Sequence, residues 1–208
     1  MTVFSRFLTA PALALGLALT APALPVWADN QPAAIDSSVV VADLPDKKIN
    51  KTGLYVTAAE SIAAVTARDD VLLVDIRSPE EAMFVGYATA TDILMPFKLV
   101  NPDHPYNAKK QIFGMMDNPD FVPQMKAFLA DRDPAAVLII CRSGSRSAAA
   151  VDALVEAGVT APLYTVVDGF EGDMAKNGAR SVNGWKNAGG DWTYKIREGL
   201  MPQGAATN

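Results

Sequence analysis

Residues 137–151 read VLIICRSGSRSAAAV. Four apolar residues run into the chain's single cysteine, Cys141, and a loop of Arg, Ser and Gly leads into a run of small residues. A short, continuous apolar run closed by turn residues is the pattern of a strand buried on both faces. From Ser145 the spacing becomes helical, with Ala150, Val151, Leu154 and Val155 on one stripe and Gly158 as the stop. Strand, tight loop and helix in that order predict an α/β fold with Cys141 at the carboxyl end of a parallel strand. Such sheets place their active sites at those ends.

The same alternation extends both ways along the chain. Residues 54–56 suit a short strand, and Thr57 with Glu60 has capping-box spacing for a helix to about residue 68, with Ile62 and Val65 facing inward. Residues 71–74 (VLLV) form a second continuous apolar run, which ends at Asp75. Ser78 and Pro79 open a short helix with Glu80 and Glu81 near its positive end. Residues 93–95 and 163–167 read as further strands, and 119–129 as a helix. The sum is a mainly parallel central sheet flanked by helices on both faces. Residues 98–118 are long and irregular, the mark of a functional or mobile loop.

The chain has 208 residues, half of them hydrophobic, enough for one domain with a proper core. Its net charge of -5 and lack of a basic stripe argue against nucleic acid as a partner. One Cys and one His, His104, cannot build a zinc tetrahedron, and no glycine-rich nucleotide loop occurs, so neither metal nor cofactor is expected. Residues 1–28 carry one charge, Arg6, and a long apolar run; Val26 and Ala28 suit a cut before Asp29. This is the pattern of a secretory signal peptide. Pro11, Pro22 and Pro25 interrupt the run and argue against a spanning helix. The expected plan is a leader over 1–28, a polar extension over 29–52 with a short strand open at 39–41, a domain over 53–200 and a tail over 201–208. The expected location is the periplasm, with no stable membrane insertion after cleavage near Ala28.

A lone cysteine in an exported chain cannot staple that chain, so it is buried and inert, pairs with another molecule, or reacts. The loop from Cys141 through Arg142, Ser143, Gly144 and Ser145 to Arg146 can turn several amides inward as an anion nest, and the following helix adds its positive end. In that field the anionic form of the thiol is stabilised, and the thiolate is the nucleophile. The plain alternative is a small hydrophobe that closes the strand.

Three segments resemble the rhodanese family of sulfurtransferases in its single-domain, exported form. DIRSPEE (75–81) is similar to the family's D-x-R-x-x-x-E segment, and CRSGSRS (141–147) to its six-residue active loop. VVDGFEGD (166–173) with NGWKNAGGDW (183–192) is similar to its closing elements. The resemblance covers roughly residues 53–195. It implies that Cys141 carries a sulfane sulfur as a persulfide. A small sulfur-containing anion such as thiosulfate would be the donor, and cyanide, a thiol or a partner protein's thiol the acceptor. Arg142 to Arg146 would bind the anion and the persulfide. Asp75 is a candidate to brace the loop from the adjacent strand end, with a solvated turn residue as the alternative. Cysteine phosphatases resemble this loop but use one residue more between Cys and Arg, which favours sulfur transfer here. A non-enzymatic sulfur carrier and a phosphatase or arsenate reductase are the alternatives.

The chain departs from the family at residues 86–91, GYATAT, where Tyr87 stands near the usual histidine, and in the longer segments 98–118 and 173–183. Arg77 and Glu81 have the spacing of a structural pair across a helical turn. Arg146 is also a candidate for a structural pair, with Asp75 or Glu81. His104 is expected to be a loop residue rather than a base. Phe113, Met115 and Met116 are candidates for a pocket mouth or for packing. Trp185 and Trp192 are expected to anchor the closing segment.

Overall fold

The computed structural model describes residues 35–202; the expected leader, its cleavage point and the last residues of the tail lie outside them. In chain order the elements are β1 (Tyr55–Val56), α1 (Ala58–Ala67), β2 (Val71–Asp75), α2 (Pro79–Val85), β3 (Tyr87–Ala88), β4 (Ile93–Leu94), β5 (Lys98–Val100), β6 (Tyr106–Asn107), β7 (Ile112–Phe113), β8 (Met115–Asp117), α3 (Phe121–Leu129), β9 (Ala136–Ile140), α4 (Ser145–Glu156), β10 (Leu163–Val166) and β11 (Trp192–Thr193). Five strands form one sheet in the order β1-β10-β9-β2-β4, every pair parallel. The α/β expectation is borne out.

The helices start where local chemistry starts them. Thr57 and Glu60 form a capping box on α1, and Ser78 and Glu81 form another on α2, whose first residue is Pro79. Each box satisfies two amides that a helix start leaves without an acceptor. The central strand β9 is buried along its whole length. Val137 and Ile139 pack with Phe121, Met125 and Leu129 of α3 and with Val151 and Leu154 of α4. Leu138 and Ile140 pack on the other face with Ala58 and Ala64 of α1, Phe170 and Trp185. Helices therefore cover both faces. Burying each large aliphatic side chain contributes about 1.5–3 kcal/mol, so both layers hold the sheet.

Register places the site. Leu73 of β2 lies opposite Leu138 of β9, and Asp75 lies opposite Ile140, the residue before Cys141. Ile76 N–H then donates to Ile140 O at 2.9 Å. Asp75 and Cys141 thus leave the sheet side by side.

Two segments differ from the sequence reading. Residues 98–117 are not irregular: β5 pairs with β8, and within that hairpin β6 pairs with β7, both antiparallel. Strands β6, β7 and β8 are exposed, so no buried alternation marks them in the sequence. Residues 39–41 do not form a strand; the chain makes 3-10 turns at Val41–Asp43 and Asp46–Lys48. The segment ends docked on the domain, where Lys48 pairs with Asp173 at 2.8 Å and Asn50 donates to Thr165 Oγ1 at 2.8 Å. Trp185 is buried in the second core layer and Trp192 packs against it, as expected of residues that anchor the closing segment. Among the described residues no helix is long and apolar enough to cross a membrane.

Candidate active site

Cys141 leaves β9 and is 1% exposed. Its sulfur is nevertheless met by an amide: Gly144 N–H donates to Cys141 Sγ at 3.2 Å. Segment 169–172 fixes the loop from behind. Phe170 N–H donates to Cys141 O at 2.7 Å, and Glu171 and Gly172 donate to Arg142 O at 3.0 and 3.2 Å. These bonds engage the carbonyls of Cys141 and Arg142. The amides of Arg142 and Ser143 make no hydrogen bond among the described residues. Those of Ser145 and Arg146 belong to the first turn of α4, where an amide has no intrahelical acceptor. The loop therefore carries one amide on the sulfur and four more with no acceptor among the described residues, a supply of donors suited to an anion.

Two glycines make this geometry possible. Gly144 has φ +96°, and a Cβ there would lie 2.2 Å from Val167 O. Gly169 has φ +66°, and a Cβ there would lie 2.5 Å from Cys141 O. Gly144→Ala is expected to cost about 3 kcal/mol, from strain at positive φ together with a backbone clash. Gly158→Ala, at φ +82° with nothing within 4 Å of its Cβ, is expected to cost about 1 kcal/mol. Denaturant titrations of the two variants measure the difference.

Arg146 and Glu81 join the two helix starts. Arg146 Nη1 and Nη2 donate to Glu81 at 2.7 and 2.6 Å, with about a fifth of each side chain exposed. Glu81 also caps α2 by accepting from Ser78 N–H. Burial alone favours a neutral guanidinium on Arg146, but the bonds to Glu81 and the charges of Glu81, Cys141 and Asp75 more than offset it. Burial likewise favours a neutral Glu81, yet the bonds and charge of Arg146 hold its carboxyl below its ordinary 4.5. A lowered acid contributes stability above its unfolded value and loses it as pH falls through the folded value. Glu81→Gln is therefore expected to flatten the fall of the thermal midpoint below pH 4.5, measured beside the wild type.

Asp75 reaches the loop indirectly. It is 1% exposed and grips the fully buried Arg77, with Arg77 Nη2 at 2.6 Å and Nε at 3.0 Å from its oxygens. The Arg77 guanidinium lies 4.0 Å from the centre of the Phe170 ring. Phe170 in turn holds the Cys141 carbonyl. The expected Arg77–Glu81 pair does not form. Arg77 precedes the cap Ser78 and so is not on the helix; it takes Asp75, and Glu81 takes Arg146.

In front of the loop lies a cleft of about 660 Å³ that includes Cys141, Arg142, Ser143, Ser145 and Arg146 in its lining. The inserted hairpin forms one side, with Phe113 and Met115 on the lining but not Met116, which is the register partner of Leu99. His104 lines the outer cleft, exposed, with its ring edge-on to Phe113 at 5.7 Å. Phe84, Ile112 and Lys110 also line it, and no sequence signal singled them out. Arg180, from the long segment after 173, was missed as well. Burial weakens its hold on its proton, and the charge of Arg142 weakens it further, which places the two cations near each other. Tyr87, which stands near the histidine of the resembled motif, is buried and donates to Lys195 O at 3.0 Å. Among the described residues no group of three or more His, Cys, Asp and Glu is placed to hold a metal ion.

No family model matches the chain. The chain is 32% identical over 123 residues to thiosulfate sulfurtransferase 16, chloroplastic, of Arabidopsis thaliana, covering 57% of this chain and 89% of that protein. It is 28% identical over 129 residues to an uncharacterized protein of Rickettsia rickettsii, covering 62% of this chain and 87% of that one. Among solved structures, Rv0390 from M. tuberculosis is similar over 67% of this chain and 96% of its own, at 28% identity and a TM-score of 0.49.

Proposed function

The chain belongs to the rhodanese superfamily, and from that premise we propose that it is a sulfurtransferase that moves a sulfane sulfur through a persulfide on Cys141. The observation that carries the reading is the Gly144 amide on Cys141 Sγ within a loop whose other amides are unclaimed. Loop amides turned to the sulfur would stabilise its anion and a second sulfur carried on it.

The transfer has two balanced steps. The Cys141 thiolate attacks the outer sulfur of thiosulfate. A new S–S bond forms as the old one breaks, and its electron pair leaves with sulfite. The acceptor, cyanide or a thiolate, then attacks the outer sulfur of the persulfide, and the electron pair returns to Cys141. This is covalent, ping-pong catalysis. Arg142, exposed at the loop, attracts the anionic donor, while Ser143 and Ser145 line its approach. Arg146, engaged by Glu81, acts by holding the loop in place and adding positive charge. Asp75 positions the loop through Arg77 and Phe170. In this reading the leader is removed near Ala28 and the enzyme works in the periplasm, as the pattern of residues 1–28 suggests.

The test is steady-state thiosulfate-to-cyanide transfer by the chain from Asp29 onward, beside hydrolysis of an aryl phosphate and reduction of arsenate. Turnover of thiosulfate alone is the expected result. Turnover of the phosphate or arsenate without sulfur transfer would overturn the reading.

A further inference from the structure

The cleft is larger than its donor needs. Thiosulfate is a small anion that the loop alone can hold, whereas about 660 Å³ is a typical volume for an organic ligand. Its walls are also wrong for a site that handles only inorganic ions. Phe84 on α2 is 76% exposed, and Ile112 and Phe113 on β7 are 51% and 62% exposed. Large apolar side chains left in water and gathered on one cleft mark a binding surface.

This wall is fixed in place. The Phe113 ring meets the edges of His104 and Tyr106 at 5.7 and 6.2 Å, and Met115 Sδ accepts from Arg146 Nη1 at 3.8 Å. The hairpin is thereby tied to the same residue that braces the active loop. Charge narrows the class further. Arg146 is neutralised by Glu81, but Arg142 and Lys110 on the same lining have no ion pair among the described residues. Glu80, on the α2 side, keeps an anion toward the hairpin side. Cys141 is at the floor and 1% exposed, so the reacting atom must arrive on a slender arm rather than on the flat face of a folded protein.

We propose that the hairpin insert over residues 98–117 selects the acceptor, an organic thiol with an apolar arm and a terminal anionic group; the transfer part of this rests on the sulfurtransferase reading above. The arm packs on Phe113, Ile112 and Phe84, and the anion faces Lys110 and Arg142. The acceptor thiolate attacks the outer persulfide sulfur and leaves as an organic persulfide, with the S–S electron pair returning to Cys141.

Binding and transfer test this separately. The binding probe is 4-methylphenylacetate, which has the arm and the charge but no sulfur, titrated into the Cys141→Ser protein by NMR. Phe113→Ala and Lys110→Ala in that background are each expected to weaken binding by about ten-fold, equivalent to about 1.4 kcal/mol. In the active protein, the kcat/KM ratio of 4-mercaptophenylacetate to cyanide is expected to fall by about ten-fold in Phe113→Ala. For 4-methylthiophenol, which lacks the carboxylate, Phe113→Ala is expected to lower the ratio and Lys110→Ala to leave it in place. Equal binding by all three proteins, or ratios unchanged in both variants, would overturn the assignment. Binding that follows the expected pattern without turnover of any acceptor would support the cleft's ligand class and sink the sulfurtransferase reading instead.

Discussion

Cys141→Ser is expected to lower thiosulfate-to-cyanide transfer by about a thousand-fold or more, because removing a covalent nucleophile removes the pathway itself. The fold is expected to survive. Serine is slightly smaller than cysteine, and its Oγ can still accept from the Gly144 amide that now meets Sγ. Stability should stay within about 1 kcal/mol of wild type by denaturant titration. Transfer that persists at more than about a tenth of the wild-type rate would move the sulfur to another group. Among the described residues there is no second cysteine to receive it.

The second large effect lies beneath the site. Asp75→Ala strands the guanidinium of Arg77, which is fully buried and whose Nη1 already lacks a partner. Leaving one partner of a buried ion pair uncompensated costs about 3–5 kcal/mol. Because Arg77 stacks on Phe170, and Phe170 holds the Cys141 carbonyl, the variant should also loosen the active loop and lower kcat. Replacing both partners at once, Asp75→Leu with Arg77→Met, should be less destabilising than Asp75→Ala alone, since no buried charge remains. Denaturant midpoints of the three proteins decide this. A loss below about 1 kcal/mol in Asp75→Ala would show that water reaches the pair.

What could be read from the chain follows from where the physics is local. VLII and VLLV are continuous apolar runs of strand length, rich in β-branched residues and closed by turn residues, as a strand covered on both faces requires; β9 and β2 are those strands. Thr57 with Glu60, and Ser78 with Glu81, are local hydrogen-bond patterns and form as spaced. The loop from Cys141 to Arg146 lies between strand and helix because Gly144 permits the turn. What escaped depends on distant partners. Arg77 seemed to belong with Glu81 along a helix, but tertiary neighbours claimed each of them. The hairpin gave no periodic signal because its strands bury no face of their own; it is held by its own ladders and by contacts such as Met115 with Arg146. Arg180 comes near Arg142 only after the chain has folded back through residues 173–183. The partners of the loop carbonyls, Phe170 to Gly172, were visible as a motif but not as the clamp they form.

The most direct measurement is the intact mass of the chain from Asp29 onward after incubation with thiosulfate, wild type beside Cys141→Ser. One added sulfur atom is expected on the wild type, removed by cyanide with release of thiocyanate, and no added mass on the variant. A wild type that gains no sulfur, or a serine variant that gains it equally, would contradict a persulfide on Cys141.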